Sequence, residues 1–505
     1  MLVFAERFLA GDVPNRDFLH LYGPGSVWVL AAVFKVFGTS LAAERLVGLA
    51  QQAGIVGGLF TLALPWGRRV ATAVGVLAAL LILPPIGLTA LAWNGAVALG
   101  LAGLAVGLSA RRCPDPARPR RRLLLAGVLG GLALLYRPDL VVAVGLGGTA
   151  LAWGLARDRL GRLLGGLALG VAPYLVHLAM AGPGPAVQGM VVDPVFRLRG
   201  GRSLPVPPSW GELDGFLQRA GVLRVVRWPL PAPTTSQQIF LWFFLLIAAA
   251  LLVAAAGILA VRRRPGAHRA RVLLVVGLFA VGLLPQAVQR PDTTHFAWVS
   301  CVGLAFVPVA LLELLRTPMR RLAPGWRGLV AGGAVLVLAG AVIPFFTFRP
   351  YLDLTQQSFG RNRFGFPIHR DGRVFYYGSE PAADAAQRLV DDLDRRARKG
   401  QRVLVGPVDL RKTPYSDAFF YFLFPELTPA TRYIEMDPGM ANAPGSGLAG
   451  EVASADWLIL SDTWSDWDEP NDSREFGPDA PNRVVARDFC RVRSYDGFFV
   501  LLRRC

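Results

Sequence analysis

The chain has 505 residues, 53% of them hydrophobic, and its mean hydropathy of +0.42 excludes an ordinary soluble enzyme of this size. A net charge of +18 suggests nucleic-acid binding, but the distribution of that charge argues against it. Residues 1–348 hold 32 Lys and Arg against 12 Asp and Glu, whereas residues 349–505 hold 21 against 23. The excess positive charge therefore lies between apolar segments, where membrane orientation accounts for it, and we expect no nucleic-acid partner.

Long apolar runs alternate with short arginine-rich clusters over the first 348 residues. Hydrocarbon cannot hydrogen-bond a backbone, so such runs predict membrane-spanning helices. The candidate spans are residues 26–37, 44–65, 70–84, 88–110, 123–136, 140–156, 163–182, 239–261, 272–288, 297–315 and 328–348. The sequence thus predicts a polytopic α-helical membrane protein with about 10–12 transmembrane helices in 1–348, followed by a soluble α/β domain in 349–505.

The arginine clusters predict the orientation, because such clusters mark the cytoplasmic loops of an inner-membrane protein. They lie at 67–69, 111–122, 157–162, 262–271 and 316–327. The loops at 84–85, 137–139, 183–238 and 290–295, together with the C-terminal domain, then fall outside the cell. The position of residues 1–25 stays open. They are cytoplasmic if 26–37 and 44–65 both cross the membrane, and outside if one of these helices is interfacial or re-entrant.

The C-terminal domain shows alternating helix and strand patterns. We expect helices at 382–398 and 417–424, buried strands at 401–405 and 455–460, and a terminal hairpin formed by 484–490 and 497–502. Four cysteines, at 113, 301, 490 and 505, fit no metal-binding spacing. Cys490 and Cys505 could form a disulfide if the domain is extracytoplasmic, but unpaired cysteines are the favoured interpretation.

The first candidate site is the segment GDVPNRDFLHLYGPG at 11–25, which concentrates ionisable groups just before an apolar helix. Asp17 could act as a general base towards a hydroxyl, and Arg16 could bind a phosphate. Asp12, His20 and Tyr22 complete the set as substrate-binding residues. The alternative is an interfacial loop in which Pro24 and Gly25 merely begin the helix.

Three further groups carry weaker signals. Arg290, Asp292 and His295 lie together between two apolar runs and would suit an anionic head group, although a solvated turn is an equal alternative. Arg137 lies beside Asp139 and could contact substrate or form an internal ion pair. His177 is isolated in an apolar run and is interpreted as a core residue. The aromatic and acidic residues of 463–471 could bind sugars or calcium, but equally describe a solvated loop with aromatic anchors.

The segments GDVPNRDFLHLYGPG and FGTSLAAERL resemble the opening of the GT-C membrane glycosyltransferases, in the branch related to protein mannosyltransferases and aminoarabinose transferases. Asp17 matches the second acidic position of the family's loop. Tyr22, Gly23 and Pro24 match its helix entry, and Gly38, Ser40 and Arg45 match its later element. In that family an acidic position ends a first helix shortly before the segment that corresponds to residues 1–6. Residues 1–20 contain neither an apolar core nor those acids, which indicates a truncated start or a lost acid.

The resemblance implies transfer of a sugar from a polyprenyl-phosphate carrier to an extracytoplasmic glycan, lipid or protein acceptor. In this interpretation Asp17 deprotonates the acceptor with inversion at the sugar, and Arg137 or Arg290 stabilises the departing phosphate. Membrane lipids are further expected partners, no cofactor is certain, and a need for a divalent metal stays open. The alternative is a non-catalytic membrane transporter or envelope-assembly scaffold that retains the fold. The segment YFLFPELTPATRYIEMDPG of the C-terminal domain also resembles the tails of actinobacterial relatives.

Overall fold

The computed structural model describes residues 1–112, 117–222, 233–315, 324–344, 356, 361, 365–465 and 467–505. A helical part is followed by a strand-containing part, residues 365–505, which we call the tail. The helices of the first part are α1 Leu2–Leu9, α2 Gly25–Phe37, α3 Leu41–Ala63, α4 Arg68–Ile86, α5 Ala92–Ala110, α6 Ala117–Tyr136, α7 Val141–Ala152, α8 Arg157–Val171, α9 Pro173–Ala181, α10 Pro183–Val187, α11 Leu198–Arg202, α12 Phe216–Val222, α13 Thr235–Arg263, α14 His268–Gln289, α15 Thr293–Leu314 and α16 Pro324–Val342. A π-helical segment at Gln188–Arg197 joins α10 to α11.

Six helical stretches among the described residues have the length and apolarity that crossing a membrane requires. They are Leu41–Trp66, Ala92–Ala110, Arg157–Ala181, Thr235–Arg263, His268–Gln289 and Thr293–Leu314. Shorter or less apolar helices, among them α4, α6 and α7, pack between them. The fold class predicted from the sequence, a polytopic helical membrane protein with a strand-containing C-terminal domain, is confirmed.

The arginine clusters gather at one end of the helical part, which we call the basic end. Arg269 donates to the Pro65 carbonyl at 2.7 Å, and Arg111 donates to the Leu151 carbonyl at 2.7 Å. Arg271 reaches the carbonyl of Trp153 at 3.0 Å. These guanidiniums satisfy carbonyls at or just beyond helix C-termini, where positive charge is electrostatically favoured. Most of the fifth cluster, 316–327, lies outside the described residues.

The tail packs against the opposite end, which we call the tail end. The Leu19 amide donates to the Arg432 carbonyl at 2.9 Å, and Arg373 pairs with Glu6 at 2.5 Å. Arg290 likewise pairs with a tail carboxylate, that of Glu469, at 2.6 Å. The loops that the sequence places opposite the arginine clusters therefore meet at the tail end.

Helix α2 lies along the tail end and does not cross. Gly25, at its start, is so close to Tyr136 that a Cβ there would lie 2.8 Å from the ring. Just after its end, Glu44 accepts the amide of Ala90, and Arg45 donates to Thr89, in the loop that follows α4. Both ends of α2 are thus at the tail end, and its apolar face joins the core of the tail. The helix predicted as the 26–37 span therefore has both ends on one side, as the alternative of an interfacial or re-entrant helix requires, and residues 1–25 lie on the side of the tail.

The tail contains a five-stranded sheet in the order β4-β3-β5-β7-β6, and a separate two-stranded sheet formed by β1 and β2. Strand β3 is parallel to β4 and β5, whereas β7 is antiparallel to β5 and β6. The elements are β1 Phe366–Arg370, β2 Arg373–Tyr377, α17 Glu380–Arg396, β3 Arg402–Pro407, α18 Phe419–Leu423, β4 Thr428–Pro429, α19 Leu448–Ala453, β5 Trp457–Ser461, α20 Ala480–Asp488, β6 Phe489–Tyr495 and β7 Phe499–Arg504.

Most of the predicted tail elements are confirmed, with two corrections. Residues 484–488 belong to α20 and not to the terminal hairpin, which begins at Phe489. Cys490 and Cys505 form a disulfide, with a Cα–Cα distance of 5.3 Å, so the favoured interpretation of unpaired cysteines is wrong for them. The register of β6 against β7 sets Phe489 opposite Arg504 and brings the two cysteines together. The predicted domain boundary at 349 lies outside the described residues.

Candidate active site

The charged residues of the 11–25 loop hold the loop itself in shape. The Asp17 carboxylate accepts the Val13 amide at 2.7 Å and pairs with Arg16 at 2.8 Å. Hydrogen bonding from Arg16 lowers the pKa of Asp17. Asp12 pairs with Arg7 at 2.8 Å. These contacts leave the Asp17 side chain 31% exposed but engaged by a cation.

His20 and Asn15 form the buried floor of this loop. The Asn15 side-chain amide donates to the His20 carbonyl at 2.6 Å, and its oxygen lies 2.8 Å from Nε2 of His177. His177 is fully buried, which confirms its interpretation as a core residue. The imidazole of His20 packs edge-on against Phe4 and Tyr22, and burial lowers its pKa to about 3. His20 is therefore neutral, and its buried Nε2 finds no partner among the described residues.

Arg137 is the centre of a second group at the tail end. Its Nε donates to Asp139 at 2.8 Å, and an Nη donates to Gln286 at 3.1 Å. The guanidinium lies 4.3 Å from the centroid of the Tyr22 ring. Arg137 is only 5% exposed, but the side chain of Asp139 is 40% exposed. The internal ion pair proposed from the sequence is present, and the carboxylate half of it is open to solvent.

Two residues that the sequence did not indicate complete this group. Arg202 pairs with Asp437 of the tail, stacks 4.7 Å from the Tyr415 ring, and has a buried Nε that finds no partner among the described residues. Glu435 is partly buried and accepts no hydrogen bond from any described residue. Burial and the neighbouring Asp437 raise the pKa of Glu435.

Tyr22 interacts electrostatically with both arginines of the group, Arg137 and Arg202. Burial raises the pKa of its phenol, Arg137 and Arg202 oppose that rise, and Glu435 adds to it. Arg137, Arg202 and Glu435 therefore all act electrostatically on Tyr22. We call the set the Arg137 cluster; its members are Tyr22, Arg137, Asp139, Arg202, Gln286 and Glu435.

A third group, the Arg290 cluster, consists of Arg290, Asp292, His295 and Glu469. Arg290 donates to Asp292 at 2.9 Å, to both oxygens of Glu469 at 2.6 and 2.9 Å, and to the Arg202 carbonyl at 2.6 Å. Asp292 caps α15 by accepting the His295 amide at 2.9 Å, and it also contacts Nδ1 of His295 at 2.9 Å. Asp292 and Glu469 are both 0% exposed. The guanidinium of Arg290 thus already binds two carboxylates of the protein, those of Asp292 and Glu469.

The 463–471 segment anchors the tail on the helical part. Trp467 stacks on Phe216 with ring centroids 4.3 Å apart, and Glu469 binds Arg290. Asp466 lies outside the described residues. Within the described part of the chain, no group of three or more His, Cys, Asp or Glu residues is arranged to hold a metal ion.

An apolar groove of about 340 Å³ runs between α5, α6, α7 and α8. At the tail end it is lined by Leu134 and Val141, which flank Arg137 in the chain, and further towards the basic end by Leu151 and Leu160. Its walls include Gly145 and Gly148, where a Cβ would meet no atom within 4 Å. The groove therefore follows α7 for roughly 18 Å. Its end at Leu134 and Val141 is about one helical turn from Arg137 along the chain.

The fold matches solved membrane glycosyltransferases. ArnT from Cupriavidus metallidurans bound to undecaprenyl phosphate superposes with a TM-score of 0.52 at 15% identity, over 99% of this chain and 92% of that chain. This chain has a GT-C fold. The same enzyme in the apo state gives 0.45 at 16% identity over the same shares, and the Archaeoglobus fulgidus oligosaccharyltransferase gives 0.46 at 13% over 98% of this chain and 67% of that chain. No protein-family model and no curated protein sequence matches the chain.

Proposed function

We propose that the protein transfers a sugar from a polyprenyl-phosphate carrier to a cell-envelope acceptor on the membrane side that holds the tail. One observation carries the proposal: the apolar groove along α7 is lined at one end by Leu134 and Val141, which flank the buried Arg137 in the chain. An isoprenoid chain suits the groove, and a phosphate at its end would reach Arg137 and Arg202. The similar ArnT structure holds undecaprenyl phosphate, which supports a carrier of this chemical class.

In the proposed reaction the acceptor hydroxyl attacks the anomeric carbon of the sugar while the bond to the carrier phosphate breaks. The hydroxyl proton passes to a carboxylate, and the phosphate departs with the bonding electron pair. Arg137 and Arg202 would offset the charge on the leaving phosphate, since guanidinium matches phosphate geometry. A single displacement inverts the configuration at the anomeric carbon.

We propose Glu435 as the base of this reaction. Its carboxylate belongs to the Arg137 cluster, lacks a hydrogen-bond donor among the described residues, and has a raised pKa caused by burial and Asp437. Asp17, the base expected from the sequence, is paired with Arg16, and that bond lowers its pKa. A carboxylate with a higher pKa is the stronger proton acceptor near neutral pH. Asp17 stays the alternative that mutagenesis distinguishes.

The proposal places the tail outside the cell. The arginine clusters at the basic end favour the cytoplasmic side, and a disulfide in the tail suits an oxidising compartment. Gly378 is exposed, and a Cβ there would meet no atom within 4 Å, so Gly378→Cys is a suitable probe. In a Cys113→Ser background, a membrane-impermeant maleimide should label Gly378→Cys in spheroplasts without lysis. Labelling only after lysis would reverse the orientation.

The decisive test of function is transfer from a radiolabelled polyprenyl-phosphate sugar by purified protein in liposomes. Gly148→Leu should fill the groove and abolish transfer without disturbing the fold, because a side chain at that position has free space. Gly165→Leu, on α8 outside the groove and equally free of neighbours, is the matched control and should be active.

Loss of transfer in both variants, or in neither, would contradict a carrier site in this groove. Absence of transfer by the wild-type protein with every polyprenyl-phosphate sugar tested would favour the transporter or scaffold alternative.

A further inference from the structure

A second cavity lies at the basic end, far from the tail. It has a volume of about 640 Å³ and opens between the ends of α3 and α5 and the beginnings of α6 and α14. It is larger than the groove along α7, and its lining is more polar. Nothing in the proposed transfer reaction uses it.

The lining of the cavity combines cationic and apolar side chains. Its polar members are Thr61, Ser109, Arg112, Arg122 and His268, and none of its described lining residues is acidic. Its apolar members are Leu62, Leu64, Pro65, Ala105, Leu108 and Val272.

Neither arginine is paired with a carboxylate of a described residue. The contact of Arg122 with the Ser109 hydroxyl is long, at 3.5 Å, and the nearby Asp158 is paired with Arg120 at 3.2 Å. Arg112 makes no ion pair with any described residue. Guanidiniums that line the same cavity repel each other, and their arrangement is stabilised when an anion enters.

We propose that this cavity binds a phosphate-bearing ligand whose charge lies between Arg112 and Arg122. The apolar lining and the position at a membrane surface fit the head group and first methylenes of an anionic phospholipid, since basic pockets between helices on the cytoplasmic side recognise such head groups. A free phosphate compound offers the same charge without the methylenes. The inference is independent of the proposed transfer reaction.

Native mass spectrometry of the detergent-purified full chain tests the site, with phosphatidylglycerol, phosphatidylcholine and inorganic phosphate as probes. We expect saturable binding of phosphatidylglycerol, weakened at least tenfold in the double variant Arg112→Gln/Arg122→Gln. The matched control, Arg262→Gln/Arg263→Gln, removes two exposed arginines from the same end that do not line the cavity, and it should bind as the wild type does.

Binding of phosphatidylglycerol but not of inorganic phosphate would identify a lipid site, and saturable binding of both would identify a general phosphate site. Equal affinity for phosphatidylglycerol and phosphatidylcholine would overturn the proposal. So would an undiminished affinity in the Arg112→Gln/Arg122→Gln variant, or an equal loss in the control. Both lining arginines are exposed, so the melting temperature without ligand should be the same in all three proteins.

Discussion

The same tripeptide, Arg-Pro-Asp, occurs at Arg137–Asp139 and at Arg290–Asp292, each time after a long apolar helix at the tail end. In both copies the arginine Nε donates to the aspartate two residues later, at 2.8 and 2.9 Å. The copies differ in what surrounds them. Glu469 of the tail closes over Arg290, whereas the side chain of Asp139 stays 40% exposed and no tail carboxylate pairs with Arg137 among the described residues.

One local motif thus occurs in two different environments. The sequence determines the short-range ion pair, and the tail determines whether that pair is sealed or open. A sealed pair of buried charges can hold two parts of a protein together, because removing either partner leaves an unpaired charge. An open pair can exchange a contact with solvent for a contact with substrate.

The largest expected effect concerns the Arg137 cluster, in which the ion pair is open. Glu435→Gln should lower the transfer rate by about 10²–10⁴-fold, because it removes the proton acceptor while keeping the shape of the side chain. The wild-type rate should fall as the pH is lowered through the raised pKa of Glu435, and this acidic limb should disappear in the variant. Glu475→Gln, an exposed tail residue, is the matched control. An active Glu435→Gln variant with an unchanged pH profile would exclude Glu435 as the base.

The next largest effect concerns the Arg290 cluster, in which the ion pair is sealed by Glu469. Arg290→Ala should destabilise the protein by about 3–5 kcal/mol, because it leaves Asp292 and Glu469 buried without their cation. The tail should become sensitive to proteolysis at lower denaturant concentration than in the wild type. If stability is unchanged and only carrier binding is lost, then Arg290 acts on the substrate, as the sequence alone suggested.

Acidification should affect the 11–25 loop before it affects the Arg290 cluster. Burial lowers the pKa of His20, beside Tyr22, to about 3, so its contribution to stability is complete above its unfolded pKa and is lost as the pH falls below that value. The loss amounts to at most about 1.4 kcal/mol per pH unit below about pH 6.5. The pKa of Asp292 is lowered to about 2, mainly by His295 and Arg290 against the effect of burial, so the sealed cluster keeps its charge in that range.

The melting temperature in detergent, followed between about pH 7 and pH 5, checks this expectation. His20→Phe should flatten the pH dependence, and Asp292→Asn should lower stability throughout this range. A slope that is unchanged in His20→Phe would show that another group titrates.

The smallest expected effect concerns Asp17. Asp17→Asn removes a partly exposed ion pair with Arg16 and should change the transfer rate by less than about tenfold. A loss comparable to that of Glu435→Gln would restore Asp17 as the base and assign Glu435 a supporting role.

The sequence predicted features that local patterns determine. Apolar runs predicted the helices, and arginine clusters predicted which loops share an end, because both depend on the membrane and not on tertiary detail. Helix α2 was predicted as a span because a largely apolar helix of 13 residues fits an interfacial helix as well as a short span. The disulfide depends on the register of β6 against β7, which alternation alone does not determine.

The composition of the candidate site was only partly predictable. Tyr22 and Arg137 were identified because charged and aromatic residues at a membrane boundary are uncommon. Arg202 and Glu435 come from the 183–238 loop and from the tail, where such residues are ordinary, and only the packing of the tail brings them to Arg137. Glu469 was noted as part of an aromatic and acidic loop, but its partner Arg290 is 179 residues away.

The most direct test of the central claim compares Arg137→Lys with Arg290→Lys, two matched variants of the same tripeptide. Binding of a polyprenyl phosphate per folded molecule and the melting temperature should be measured for both. We predict that Arg137→Lys loses affinity and keeps its melting temperature, because Lys can still pair with the partly exposed Asp139. Arg290→Lys should keep affinity and melt earlier, because Lys cannot bridge Asp292 and both oxygens of Glu469. The account would be contradicted if Arg137→Lys kept its affinity and melted earlier while Arg290→Lys lost affinity and kept its melting temperature.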